Sequence, residues 1–352
     1  MSEPVIANRK PYYQELKQGR RYYWCSCGHS TRQPFCDGSH KGTGFEPVEY
    51  VAREAGEEVL FCGCKHTKDR PFCDGTHNNL PGGYAEDDPN SPENRAIPVV
   101  PTQEGPTAML DGGCYVFSLD KAEYKTKGNF RYCRVISEAQ GARYQSLFYG
   151  EIDAGASPIM GFGDRHVILF LAQGTGTVTI SGREISAGTG DGVYVRPGEA
   201  FQVTPSGDAP VRLFISACPA AGEPEWRETM PDKFDAAIPR RVVGIDPARR
   251  QAMAARYFQM LVDKSIGSDV VTQFIGHIPK SKAEPHRHLY EEALIILSGE
   301  GMMWTETRKA PVKGGDVIFL PRKQLHSLEA TAEAGMDVVG VIYPGDNPSI
   351  NY

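Results

Sequence analysis

A cysteine pattern that occurs twice near the start of this chain restricts its fold more tightly than any other feature. Residues 25–40 read CSCGHSTRQPFCDGSH and residues 62–77 read CGCKHTKDRPFCDGTH. Both copies run Cys-x-Cys, eight residues, Cys, three residues, His, and they lie 37 residues apart. Six of the nine cysteines fall inside them. The opening stretch MSEPVIANRKPYYQELKQGRR has no apolar core of the kind an export signal needs. The cysteines are therefore read as metal or cluster ligands and not as a disulfide framework. Short strands are expected just before each copy, at 21–24 and 57–61.

Thiolates bind iron well. Cys-x-Cys brings two sulfurs close enough to share one iron, and the third cysteine and the histidine can take another. An imidazole in place of a thiolate makes such a cluster less negative and easier to reduce. It also titrates near neutrality, which can couple electron and proton transfer. The copies, Cys25-Ser-Cys27 to Cys36-Asp37-Gly38-Ser39-His40 and Cys62-Gly-Cys64 to Cys73-Asp74-Gly75-Thr76-His77, resemble the CDGSH iron–sulfur family, in its tandem class. The resemblance covers about residues 20–80. It implies two [2Fe–2S] clusters, one on Cys25, Cys27, Cys36 and His40, the other on Cys62, Cys64, Cys73 and His77. Three cysteines and a histidine are also a zinc set. His29 and His66 hold equivalent places in the copies, either tuning a cluster or lying plainly on the surface.

Residues 81–107 are rich in Pro, Gly, Asp and Asn and read as a surface connection. Beyond it the chain reads as strands and turns: 145–152, 167–172, 176–180, 192–196 and 211–218, then 270–275, 293–297, 301–305, 316–320 and 338–342. Between the two sets, Pro247–Asp263 is expected to be a helix with Asp246 as its N-cap. AQGTG at 172–176 matches LSGEG at 297–301, and GDGVYVRP at 190–197 matches GDVIFLP at 315–321. The second part of the chain is thus two copies of one β module.

Residues 285–299 read PHRHLYEEALIILSG. His286 and His288 alternate, so a strand points both to one face. Glu292 follows, and His326 comes after the next Gly-Asp-x4-Pro turn. Three imidazoles and a carboxylate suit Fe, Mn, Ni, Cu or Zn. Gly276, His286, His288, Glu292 and Gly299 resemble the first motif of the cupin superfamily, with a longer gap after Gly276 than is usual. The second motif keeps His326, but Lys323 stands where a glycine is common and Ala330 where an asparagine is. The resemblance implies a jelly-roll barrel with one metal on His286, His288, Glu292 and His326. Aligned through its turns, the first module places Gly161, Gly163 and Val167 opposite the first three ligands, and Gln202 or Phe201 opposite His326. It is read as a scaffold whose emptied barrel can hold an organic ligand. His277, Phe274, Trp304, Phe319 and Arg322 are candidate pocket residues.

The expected fold is mainly β: a tandem CDGSH unit (1–82), a linker (83–114), an N-terminal cupin without ligands (115–220), a linker with a helix (221–265) and a metal-binding cupin (266–352). The charge of −6, with no long basic run, argues against nucleic acid. The longest apolar runs, 167–172 and 293–297, fall far short of the ~20 residues of a membrane span. A cytoplasmic protein is expected, with a homodimer as an option. A cupin dioxygenase needs no outside electrons, whereas a monooxygenase or hydroxylase does. The fusion therefore suggests a cupin oxygenase, probed by O2 and a small-molecule substrate, with Fe(II) in the barrel and an external reductase feeding the clusters. The alternatives are a redox or iron sensor and a cluster-transfer protein built on a ligand-binding bicupin.

Overall fold

Each cysteine copy begins on a strand that stops one residue short of its first thiol. In this computed structural model, which describes residues 3–100, 105–207 and 209–352, those strands are Arg21–Trp24 and Glu57–Phe61. Arg21–Trp24 pairs antiparallel with Val48–Val51, and Glu57–Phe61 with Tyr12–Leu16. The two copies share one small core. Phe61 packs on Phe35 and Phe72 with ring centroids 5.5 and 5.8 Å apart. The buried Trp24 indole N–H donates to the Cys62 carbonyl at 2.9 Å.

Downstream, two barrels of antiparallel strands follow. In the first, His166–Gln173 lies between Gly192–Val195 and Val211–Cys218 in a seven-stranded sheet. In the second, Glu291–Ser298 lies between Asp316–Leu320 and Met336–Tyr343 in an eight-stranded sheet. Smaller sheets of five and four strands close the barrels. The two large sheets pack face to face through Tyr115, Phe170, Tyr194, Ile295 and Phe319. Strand alternation decides which side chain goes where. On Glu291–Ser298, Ala293 and Ile295 face the other barrel while Leu294 and Ile296 face their own interior. Glu292 shares the interior face. The matched turns use one device twice: a Cβ on Gly174 would come 2.4 Å from the Pro210 carbonyl oxygen, and one on Gly299 2.3 Å from that of Gly335.

Two expectations are corrected. Residues 247–263 are not a helix. Asp246 accepts from the Ala248 N–H but starts only the 3-10 turn Pro247–Arg249, followed by the hairpin Gln251–Met253 and Arg256–Val262. Ala, Arg, Gln and Met favour a helix by only a few tenths of a kcal/mol each. The Tyr-Phe-Gln-Met-Leu-Val end gains more by adding to the edge of Thr272–Ile278, where Phe258, Leu261 and Val262 become buried. The domain boundaries are crossed as well. Thr107–Met109 and Tyr115–Ser118 join the second barrel's sheet next to Asp316–Leu320, and Val242–Val243 joins the first barrel's. The first barrel's interior is lined by side chains such as Phe148, Met160, Phe162 and Phe201. Among the described residues, no helix is long and apolar enough to cross a membrane.

Candidate metal centre and the paired cysteine copies

The second barrel gathers the four side chains singled out in its sequence. His286 and His326 face each other across a two-hydrogen-bond bridge, with backbone N···O distances of 3.0 and 3.1 Å. The ring nitrogen Nδ1 lies 2.9 Å from the Glu284 carbonyl in His286, 3.0 Å from that of Tyr290 in His288, and 2.9 Å from that of Gln324 in His326. A carbonyl only accepts, so each Nδ1–H donates and Nε2 is left as the free ring nitrogen. Burial pushes His286 down to about 3 and His326 well below the ordinary histidine range, so both rings are neutral. His288 Nε2 is buried, has no hydrogen-bond partner and lies 3.1 Å from Glu292 Oε2. Tyr290 stacks on His288 at 4.0 Å. The His286 and His288 ring centroids lie 4.4 and 4.8 Å from that of His326. The rings pack on one another: among the described residues, no three His, Cys, Asp or Glu side chains stand at the spacing of a formed metal site. The donor set therefore fits a metal by its tautomers and its orphaned nitrogen, not by preset distances. Gly340, on the neighbouring strand, makes room, since a Cβ there would strike the Phe274 ring and come 3.1 Å from Glu292 Oε1.

A cavity of about 110 Å³ opens beside these rings. His277 lines it, stacked on Tyr257 and 2.8 Å from Asp337, as does Phe274. Trp304, Phe319 and Arg322 do not. Trp304 lies under Lys282 and Lys309, Phe319 packs between the barrels, and Arg322 reaches Glu58 of the cysteine unit at 2.9 Å. Sequence reading missed Tyr84, Arg256 and Asn351, which also line the cavity. They come from the tether, from the supposed helix and from the last turn of the chain, so no local pattern joins them. In the first barrel, His166 is bonded to the Tyr194 hydroxyl at 2.6 Å. Cys114, Cys133 and Cys218 are buried and free.

Each cysteine copy presents its donors in pairs. Cys25 and Cys27 Sγ are 3.7 Å apart, and Cys62 and Cys64 Sγ 3.5 Å. Two thiolates at about 2.3 Å from one tetrahedral ion stand about 3.7 Å apart. Cys36 Sγ lies 3.2 Å from His40 Nδ1, and Cys73 Sγ 3.4 Å from His77 Nδ1. The scaffolding is the same in both. Asp37 accepts from the N–H groups of Thr31 and Ser39, and Asp74 from those of Lys68 and Thr76, all at 2.9–3.0 Å. Lys65 breaks the symmetry, standing where the first copy has Gly28. It is buried against the Trp24 ring at 4.7 Å, and burial lowers its ammonium to about 8 against the pull of thiols from both copies. His29 is exposed, while His66 Nδ1 lies 2.7 Å from the Cys64 carbonyl.

The copies differ in what covers them. His40 is partly buried, with the exposed Glu46 carboxylate 3.6 Å away. His77 is only 2% exposed, and burial lowers its proton affinity. Its Nε2 is buried without a hydrogen-bond partner, and the Asn351 side chain lies beside the ring. The chain end holds this junction: Asn78 Nδ2 donates to the Ser349 carbonyl at 2.7 Å, and Tyr352 pairs its backbone with Arg287, between the two histidines, at 2.9 Å in both directions.

Residues 4–41 match the CDGSH-type iron-binding zinc finger family, residues 276–342 the cupin domain and residues 160–263 the AraC-like ligand binding domain. Over 55 residues the chain is 47% identical to the mouse CDGSH iron-sulfur domain-containing protein 3, mitochondrial, covering 15% of this chain and 40% of that protein. Over 65 residues it is 35% identical to the oxalate-binding protein of Thermotoga maritima, covering 18% and 54%. The chain thus spans about half or less of these relatives. A solved oxalate decarboxylase, studied for its substrate binding mode and reaction specificity switch, superposes with a TM-score of 0.54 over 66% of this chain and 77% of its own, at 12% identity. The formate complex of the Lactobacillus farciminis oxalate decarboxylase gives 0.52 over 66% and 87%, also at 12%. A Bacillus subtilis oxalate decarboxylase studied for its Mn(II) centres gives 0.50 over 66% and 77%, again at 12%. At that identity the likeness is one of fold. The chain joins a CDGSH segment to a bicupin of the oxalate decarboxylase fold.

Proposed function

We propose that this protein is a metal-dependent oxidoreductase acting on a small molecule, with two [2Fe–2S] clusters serving a single metal in the second barrel. Cys25, Cys27, Cys36 and His40 hold one cluster, and Cys62, Cys64, Cys73 and His77 the other. His286, His288, Glu292 and His326 hold the barrel metal. One observation carries the reading: His77 faces Asn351, and Asn351 lines the cavity beside the barrel histidines. When bound, the clusters supply one-electron carriers and the barrel metal a site for redox chemistry on a small substrate.

The chain's own residues prepare these roles. The carbonyls of Glu284, Tyr290 and Gln324 hold three ring nitrogens toward one space. Lys65 puts a positive charge among the thiols and favours reduced clusters. His40, less buried than His77, suits an external donor. The clusters also select the reaction. A decarboxylase or dioxygenase returns its electrons to product, whereas a monooxygenase or hydroxylase takes two from outside, as many as two one-electron carriers deliver. The reading is therefore an Fe(II) oxygenase using O2. Cluster hand-off or redox sensing is a second reading, favoured by His40 being less buried than His77.

Metal analysis of anaerobically purified protein tests the proposal. The oxygenase reading requires about five irons per chain, four of them with acid-labile sulfide. Manganese in the barrel would leave the wiring but replace the iron chemistry. Four irons with zinc in the barrel would overturn the reading in favour of the sensor.

A further inference from the structure

We infer that the second-barrel cavity binds a small organic anion, a carboxylate gripped by the Arg256 guanidinium and the Tyr84 hydroxyl. The inference rests on the second barrel being the reactive site. Arg256 is the cationic side chain in the cavity wall. Its Nε is buried without a hydrogen-bond partner, and Nη2 reaches only the Ser281 hydroxyl, at 3.4 Å. Its guanidinium carbon stands 5.3 Å from the centre of the Tyr84 ring. Among the described residues no carboxylate lies within 4 Å of it, and Glu86 acts on it only from further away. The acids Glu284 and Asp337, on neighbouring segments, are taken by Lys10 at 3.0 Å and His277 at 2.8 Å. A largely buried cation with no close counter-charge is costly, and an anion entering the cavity lowers that cost.

The Tyr84 hydroxyl is the second orphan. It is buried, lines the same cavity and has no partner. A hydroxyl donor beside a guanidinium fork is complementary to the oxygens of a carboxylate. The tether holds Tyr84 there. Glu86 bridges to Ala283, and the Asp87 N–H donates to the Lys282 carbonyl at 3.0 Å, along the segment that leads to His286. The remaining wall is largely apolar, with Phe258, Phe274, Met303 and Leu328. A space of about 110 Å³ is small beside pockets for drug-sized ligands, of roughly 300–1,000 Å³. The fitting ligand is a short acid with an apolar body and its carboxylate toward Arg256.

Calorimetric titration of the full-length, cluster-loaded and metal-loaded protein with propionate and with propionamide tests this. Propionate is expected to bind and propionamide to bind much more weakly. Arg256→Gln should weaken propionate binding by about 10- to 100-fold and Tyr84→Phe by about 10-fold, at unchanged iron and sulfide content. Arg256→Lys should fall between, since it keeps the charge and loses the fork. Equal binding of acid and amide, or wild-type affinity in Arg256→Gln and Tyr84→Phe, would overturn the inference. Propionate binding in a protein whose clusters ignore the barrel metal would overturn the oxidoreductase reading and leave this site standing. Intact electron transfer without propionate binding would do the reverse.

Discussion

Gly38 and Gly75 hold the same place in the two cysteine copies, with φ of 97° and 84°. A Cβ on Gly38 would meet nothing within 4 Å, whereas one on Gly75 would come 1.9 Å from the Ser349 hydroxyl. One copy is open to solvent and the other is sealed by the end of the chain. The barrels differ in the same sense. The second lines its interior with His286, His288 and His326, while the first fills the corresponding space with Phe162 and Phe201, stacked at 6.5 Å. The molecule has two of each unit; the C-terminal barrel holds the cavity, and the C-terminal cysteine copy contacts the last segment of the chain, whose Pro348 and Asn351 line it. The N-terminal copies are left as an outward face and a packed support.

The largest effect should come from the barrels. His326→Ala is expected to remove the barrel metal and abolish activity. Phe201→Ala in the first barrel should leave metal content unchanged while costing about 3–5 kcal/mol of stability. Metal analysis and denaturant unfolding check the pair, and full metal occupancy in His326→Ala would break the contrast. At the cysteine copies, Asn351→Ala should slow electron arrival at the barrel by about 10- to 100-fold. Glu46→Ala, the exposed carboxylate beside His40, should change it by less than about 2-fold, as expected for a solvent-screened contact. Stopped-flow absorbance of the clusters separates the two.

The glycines give a smaller, purely structural contrast. Gly38→Ala should cost about 1–2 kcal/mol for its left-handed backbone. Gly75→Ala should cost about 1–3 kcal/mol more, because Ser349 must move. Equal melting temperatures for the two variants would contradict the sealed junction. The smallest effect is on pH. In metal-free protein His286 stays neutral down to about 3, whereas an unfolded imidazole takes a proton below about 6.5. Below that pH the unfolded state binds more protons, so stability falls as pH drops, by at most about 1.4 kcal/mol per unit until about 3, and the effect is absent above 6.5. His286→Ala should flatten this slope more than His166→Ala, whose ring is half-buried and bonded to Tyr194.

Much of this was readable in the sequence, because it depends on short spacing. Cys-x-Cys and the histidine four residues after Cys36 or Cys73 form their pairs within one turn of chain. His286, His288 and Glu292 follow from strand alternation. The matched glycine turns place the second module on the first. What sequence could not give depends on long-range contact. Arg256 was hidden because its Ala- and Arg-rich segment has the composition of a helix, and only the free edge of Thr272–Ile278 makes it a strand. Tyr84 lies in a tether whose composition signals a surface loop. Asn351 acts through a chain end folded back between His77 and the barrel. Tyr115–Ser118 gives no local sign that it belongs to the second barrel's sheet.

The central claim is that the second cysteine copy serves the second barrel. Its most direct test is stopped-flow mixing of anaerobically reduced protein with O2 and substrate, following cluster absorbance in the wild type and in His286→Ala. The account predicts fast reoxidation in the wild type and slow reoxidation, at unchanged cluster content, in the variant. Equal rates would contradict it and leave the clusters and the barrel as neighbours without a connection.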